Sequence, residues 1–317
     1  MNNYYKLLTV LFVTIMMSFF SLSSLFAQEY HFASYNIRID TAKGRHSWAV
    51  RAEPLCNLIA YNNFDIFGTQ EVFYKQLKDM VRYFGDEYSY CGDISQEGKP
   101  NDGVFNIIFY KKNKFELIKN SCFWLSETPE KKSVSWGAPE PTICNWAYFK
   151  DKTNDKTVWF FNTHLSAKSG QARLESCKLI VKKIKEICPL NSNIVLTGDF
   201  NLPHTSIGLK PIRESGMFKD SYDSAKYKWT PTGTCPDGFS CEKITDYRID
   251  FIWVSKNTEV SRYGILNNFY FSTENESITN LKKIDKELIS QKKYKNYIPS
   301  DHYPISIWVS FPESSQK

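Results

Sequence analysis

The chain reads as an α/β sandwich with mixed sheets, on three observations. Short apolar runs rich in β-branched and aromatic residues recur along it, stretches between them repeat apolar residues at helical spacing, and strands sometimes alternate with helices and sometimes follow one another directly. The last point argues against a purely parallel, doubly wound sheet. Of 317 residues, 42% are hydrophobic, 16% aromatic and 23% charged, a balance that supports a core and excludes a disordered tail or a coiled-coil rod. The net charge of +6 is too small to be a nucleic-acid footprint by itself.

In chain order, residues 1–27 come first and differ from the rest. Lys6 is their only charged side chain, and Leu7 to Phe26 is apolar with scattered Ser and Thr, the pattern of an export signal ending at Ala27. The Ser and Thr content favours cleavage over a retained anchor, so no membrane span is expected in the mature chain from Gln28, which is expected in the periplasm, at the cell surface or in the medium. With no internal repeat and no low-complexity linker, residues 28–317 form one expected domain. Buried strands are expected at Tyr30–Ile37, Asp65–Gly68, Phe105–Tyr110, Val158–Thr163, Ile194–Thr197, Ile249–Ser255 and Tyr303–Val309. Phe73, Leu77, Met80, Val81 and Phe84 make one helical stripe, and Leu174, Cys177, Ile180, Val181, Ile184 and Ile187 make a clearer one over Ala172–Cys188. Phe269–Tyr297, polar and Lys-rich, reads as a surface insertion. All eight cysteines follow Ala27; after export Cys235 and Cys241, bracketing Pro-Asp-Gly, are the favoured disulfide, and Cys177 on its helix face reads as a buried thiol.

Polar clusters close these strands. Asn36 ends the first, Gln70 and Glu71 the second, Asn162 and His164 a later one, and Asp199 and Asn201 the next; Asp250 sits within Arg-Ile-Asp-Phe-Ile, and Asp301-His302 precede the last. Singly, each has an ordinary explanation as a turn residue, a cap or a satisfied core histidine. Together they describe a rim where strand ends assemble a site. Carboxylates, amides and two histidines without cysteine ligands suit a hard divalent cation such as Mg²⁺, which takes one or two protein carboxylates. The remaining groups suit a base for water and donors to phosphate oxygens.

Ser-Tyr-Asn-Ile-Arg (34–38), Gly-Thr-Gln-Glu-Val (68–72), Asn-Thr-His-Leu (162–165), Leu-Thr-Gly-Asp-Phe-Asn (196–201), Arg-Ile-Asp-Phe-Ile (248–252) and Ser-Asp-His-Tyr-Pro (300–304) together resemble the ordered blocks of the endonuclease/exonuclease/phosphatase superfamily, in its exported bacterial form. The resemblance implies a four-layer α-β-β-α sandwich with two packed mixed sheets. It implies Asn36, Glu71 and Asp301 as ligands of Mg²⁺, with Mn²⁺ as an alternative. Asp199 would activate water, Asn201 and His164 would contact the scissile phosphate, and His302, oriented by Asp250, would stabilise developing charge. The expected activity is a secreted, metal-dependent phosphoester hydrolase of nuclease or phosphodiesterase type, acting as a monomer on nucleic acid, a lipid head group or a phosphoglycan. Alternatives are a phosphatase of lipid or inositol phosphates, and a catalytically silent groove that binds glycan or nucleic acid.

Two departures from the family pattern motivate the silent reading. Val104 stands where many relatives carry a glutamate that hydrogen-bonds the histidine equivalent to His164, with Asp102 or Asn101 as neighbouring substitutes; Thr142 stands where exported relatives often carry Arg. Trp124, Trp136 and Trp146 are expected mostly to pack rather than to stack on substrate. Lys111, Lys112 and Lys114 are expected on a solvated hairpin.

Overall fold

The computed structural model describes residues 28–92, 103–236, 238–240, 245–246, 248–273 and 294–312. The expected signal segment, Asp102, Asn101, Cys241 and most of the Lys-rich insertion lie outside the described residues. Fifteen strands are described: β1 Tyr30–Asn36, β2 Ile66–Val72, β3 Tyr88–Cys91, β4 Phe105–Lys111, β5 Phe115–Trp124, β6 Ile143–Asp151, β7 Thr157–His164, β8 Ile194–Asp199, β9 Phe218–Asp220, β10 Tyr227–Trp229, β11 Asp250–Ser255, β12 Glu259–Ile265, β13 Tyr270–Thr273, β14 Tyr294–Tyr297 and β15 Ile305–Ser310. The longer helices are α1 Trp48–Asn62, α2 Tyr74–Phe84 and α3 Gly170–Ile187. No described helix is long and apolar enough to cross a membrane.

Two mixed sheets carry the fold, one ordered β10-β12-β15-β1-β2-β4-β3 and the other β5-β6-β7-β8-β11-β9. Three buried clusters separate four layers. Phe32, Ile66, Phe160, Val195, Ile252 and Ile305 fill the space between the sheets. Ala33, Tyr35 and Phe67 face Trp48, Leu55 and Leu77 of α1 and α2, while Leu196, Phe251 and Trp253 face Cys177, Ile180 and Ile184 of α3. β1 therefore divides its side chains between two cores, which is why all seven of its residues are buried and its sequence lacks the polar alternation of a one-sided strand. Burying one such side chain, Phe32 for example, contributes roughly 1.5–3 kcal/mol.

The topology determines where the site lies. Each sheet holds a parallel pair at its centre, β1 with β2 and β7 with β8, flanked by antiparallel neighbours. The carboxyl ends of both pairs leave the sandwich at one rim, and the amino ends of β11 and β15 meet them there, Asp250 pairing directly with Asp199. The polar residues Gln70 and Asn162 instead connect the sheets beneath this rim. Gln70 Nε2 donates to Asn162 Oδ1 at 2.7 Å, and Asn162 Nδ2 donates to the carbonyls of Thr69 and Ile107. Gly68 is required beside them, because a Cβ there would lie 2.5 Å from Asn162 Oδ1.

Other expectations follow from burial. Trp124 and Trp146 are buried and Cys177 is a buried free thiol, but only Lys112 is the solvated lysine expected: Lys111 and Lys114 are part-buried, drawn in by the buried Asp65 carboxylate. His31 stacks on Trp308 at 4.1 Å and meets Phe64 edge-on at 4.8 Å. Burial lowers its pKa to about 4. Its folded pKa is thus below the ordinary value, so the unfolded chain binds the extra proton between the two values and stability falls as pH drops from about 6.5 towards 4. His31→Phe should flatten that limb by up to roughly 3 kcal/mol, read as urea-unfolding free energy at pH 7 and at pH 4.5; an unchanged acid limb would refute the assignment.

Candidate active site

The eight residues expected at the site, Asn36, Glu71, His164, Asp199, Asn201, Asp250, Asp301 and His302, form one connected network at the rim. Its centre is Asp199, almost fully buried at the end of β8. Asp199 Oδ2 accepts from Asn36 Nδ2 at 3.0 Å and lies 3.3 Å from His164 Nε2 and 3.7 Å from His302 Nε2, while Oδ1 accepts the Asn201 backbone N–H at 2.9 Å. Asn36 Nδ2 also donates to Glu71 Oε1 at 3.2 Å. The amide is fixed in this orientation because its Oδ1 accepts the Arg38 N–H at 3.0 Å. Asn36 is thus the strut between the Asp199 and Glu71 carboxylates.

On one side of Asp199, His302 Nδ1 lies 3.0 Å from Asp250 Oδ2 and 3.2 Å from Oδ1, and the Cys235 side chain also hydrogen-bonds the His302 ring. Asp250 is held in turn by β11, where Thr234 Oγ1 accepts the backbone N–H groups of Ile249 and Asp250. On the other side, Asn201 Nδ2 lies 3.0 Å from His164 Nε2 and donates to Leu165 O at 2.9 Å. Contact between β7 and β8 depends on Gly198, where a Cβ would sit 2.2 Å from Thr163 O.

Charge is distributed unevenly over this network. Burial alone would raise the Asp199 pKa, but His164 and His302 on either side reverse that and hold it below the usual carboxylate range. Burial presses the His302 pKa down, yet Asp250 and Asp199 raise it well above an ordinary histidine. His164 is raised for the same reason, chiefly by Asp199. The site therefore contains an ionised carboxylate between two imidazoles that favour their cationic form.

The second carboxylate group comprises Glu71 and Asp301. Glu71 Oε2 accepts the Ile39 N–H at 3.1 Å, and a single guanidinium nitrogen of Arg38 lies 3.7 Å from Glu71 Oε2 and 3.4 Å from Asp301 Oδ2. Two carboxylate oxygens thus converge on a point where a cation already sits, which fits a hard divalent ion with oxygen ligands. Asp199, Asp250 and His302 also bring ligating atoms within 4.8 Å of one another, though Asp250 is committed to the His302 ring.

Residues outside the eight candidates hold this arrangement. Arg51, fully buried in α1, donates from all three guanidinium nitrogens to the carbonyls of His46, Ile37, Pro299, Arg38 and Ile39 at 2.5–3.2 Å. It joins the exit of β1 to the segment that carries Asp301 and His302, and Ser300 Oγ adds a 2.7 Å bond to Asn36 O. Arg38, Glu71 and Asn201 have φ of 59°, 59° and 50°, a left-handed conformation that Asn tolerates but Arg and Glu avoid. A cleft of about 250 Å³ opens beside Glu71 and His164, and Val104 and Thr142 both line it. The two departures from the family pattern thus lie in the wall of one cleft, outside the Asp199 network.

An Endonuclease/Exonuclease/phosphatase family model matches residues 33–302. The chain is similar to a Bacteroides thetaiotaomicron protein of that family, 34% identical with a TM-score of 0.81 over 91% of this chain and 100% of the other. It is similar to a mannosyl-6-phosphatase of the same organism, 35% identical with a TM-score of 0.78 over 89% of this chain and 100% of that one. The human Nocturnin catalytic domain, at 16% identity and a TM-score of 0.63 over 90% of this chain and 94% of the other, shares the fold. An uncharacterised mimivirus protein is 35% identical over 164 residues, 49% of this chain, and the match spans 60% of that relative's length.

Two substitutions test this construction. Arg51→Lys replaces a five-bond fork by one ammonium and should cost about 3 kcal/mol in urea unfolding; near wild-type stability would show that the clamp contributes little. Gly198→Ala should cost about 2 kcal/mol or more through overpacking against Thr163, checked in the same experiment.

Proposed function

The chain belongs to the endonuclease/exonuclease/phosphatase family, a family of phosphoester hydrolases, and from that premise we propose that it is an exported, monomeric, divalent-metal-dependent phosphoester hydrolase. The observation that carries this reading is Asp199, ionised and buried between His164 and His302, with the Glu71 and Asp301 carboxylates held beside it through Asn36 and Arg38. A buried carboxylate with a depressed pKa, flanked by donors, is suited to accept a hydrogen bond from water and orient it towards phosphorus.

Glu71 and Asp301, with Asn36 alongside, would hold Mg²⁺ or Mn²⁺, which supplies Lewis-acid stabilisation of a phosphate oxygen. Every other role falls to the chain. Asp199 Oδ2 orients the attacking water and draws its proton as the oxygen–phosphorus bond forms; the bond to the leaving oxygen breaks, and that oxygen takes a proton from solvent water at the open cleft to depart as the alcohol. Asn201 Nδ2 and the His164 ring stand where they can donate to the phosphoryl oxygens. His302, kept cationic by Asp250, offsets the growing negative charge without a covalent intermediate. The adjoining cleft, bounded by Arg38 and Lys168 and partly apolar at Val104 and Leu165, is suited to the alcohol part of the ester. The mannosyl-6-phosphatase at 35% identity supports a sugar phosphate or phosphoglycan as that ester.

Hydrolysis of p-nitrophenyl phosphate, bis-p-nitrophenyl phosphate and mannose 6-phosphate should require Mg²⁺ or Mn²⁺, stop in EDTA and return on metal addition. Asp199→Ala should lose about 10³-fold in kcat while its thermal transition stays cooperative. Activity in EDTA, or wild-type turnover by the variant, would overturn the reading. Ligand binding without turnover in any divalent metal would favour the silent groove.

A further inference from the structure

Arg38 is engaged in an unusual way. Its backbone is immobilised: the N–H donates to Asn36 Oδ1, and the carbonyl accepts from both Arg51 and Gln76, two fully buried side chains. Its φ of 59° is one that a β-unbranched L-residue adopts only under such constraint. Its side chain is held much less firmly. Nε is buried without a hydrogen-bond partner, and one Nη nitrogen serves both Glu71 and Asp301 at 3.7 and 3.4 Å, without the paired fork that Arg makes with a carboxylate in its favoured geometry. The side chain also lines the cleft shared with His164, Lys168 and Thr142. A rigid backbone thus carries a loosely held cation between two carboxylates on one side and an open cleft on the other.

We propose that Arg38 is a phosphate-binding residue that alternates between two positions: it neutralises Glu71 and Asp301 when they hold no divalent ion, and turns into the cleft to meet a phosphate oxygen when they do. This rests on the metal-dependent reading given above. A divalent ion and a guanidinium cannot both sit against the same two oxygens without strong repulsion, so ion entry displaces the side chain. Displacement frees the one Nη nitrogen engaged by the carboxylates, and the cleft that Arg38 lines is where the guanidinium can place its N–H donors. Thr142 has no charge to offer a phosphate there, and Arg38 joins Lys168 and the His164 ring as the positive groups of the cleft wall. Metal and anion then bind cooperatively, because each favours the same position of Arg38.

The test measures Mn²⁺ affinity of the purified protein by titration calorimetry, and then the affinity of the Mn²⁺-loaded protein for inorganic phosphate. Arg38→Met and Arg38→Gly are compared with wild type; the glycine variant keeps the backbone conformation without steric cost. Both variants should bind Mn²⁺ about tenfold more tightly and, once loaded, bind phosphate about tenfold more weakly. Mn²⁺ affinity equal to or below wild type in both variants, or undiminished phosphate affinity, overturns the proposal. Glu71→Gln separates the failures. If wild type binds Mn²⁺ and Glu71→Gln does not while the Arg38 variants match wild type, the proposal falls and the metal reading stands; if wild type itself binds no Mn²⁺, both fall.

Discussion

One buried guanidinium determines whether this rim has a shape. Arg51 lies inside the layer formed by α1, where an uncompensated charge would be strongly unfavourable, and its five N–H donors are matched by five backbone carbonyls. Those carbonyls belong to the loop leaving β1 and to the approach to β15, which are distant in sequence and have no ladder contact to hold them in register there. The contact therefore converts two irregular segments into one rigid support. Asn36, Arg38, Asp301 and His302 all project from it.

The strained backbone at Arg38 and Glu71 makes sense against that support. A left-handed conformation costs about 1–3 kcal/mol at such residues, and here each is balanced by bonds from neighbouring segments: Arg38 by Arg51 and Gln76, Glu71 by Asn36 and the Ile39 N–H. The other half of the rim relies on charge. Asp199 stays ionised because two imidazoles face it, and His302 stays cationic because two carboxylates face it. Neither condition holds without the other, so this half of the network acts as a unit.

The fold was largely legible in the sequence because the central strands are covered on both faces, and such strands are written as continuous apolar runs. β1, β4, β7, β8, β11 and β15 all lie where those runs predict. β5 was not legible: it is an edge strand with mostly exposed Glu, Lys, Asn and Ser, and nothing in Phe115–Trp124 distinguishes it from a loop. α1 was missed because it contains Pro54 and its buried set includes an arginine, which no apolar stripe would include. All eight candidate site residues were visible, because polar residues at the ends of buried strands stand out. The supporting roles of Arg51, Thr234 and Ser300, and the contact between Arg38 and the two carboxylates, were not legible, because they depend on which groups the tertiary fold brings together.

The placement of Val104, Thr142 and Lys168 has a further consequence. They line the cleft beside the reactive groups, yet none of them bonds to Arg51, Asp199, Asn36 or the His302–Asp250 pair. Changes at these wall positions would therefore alter the shape and charge of the cleft without removing any bond that fixes Asp199, Asn36 or the His302–Asp250 pair.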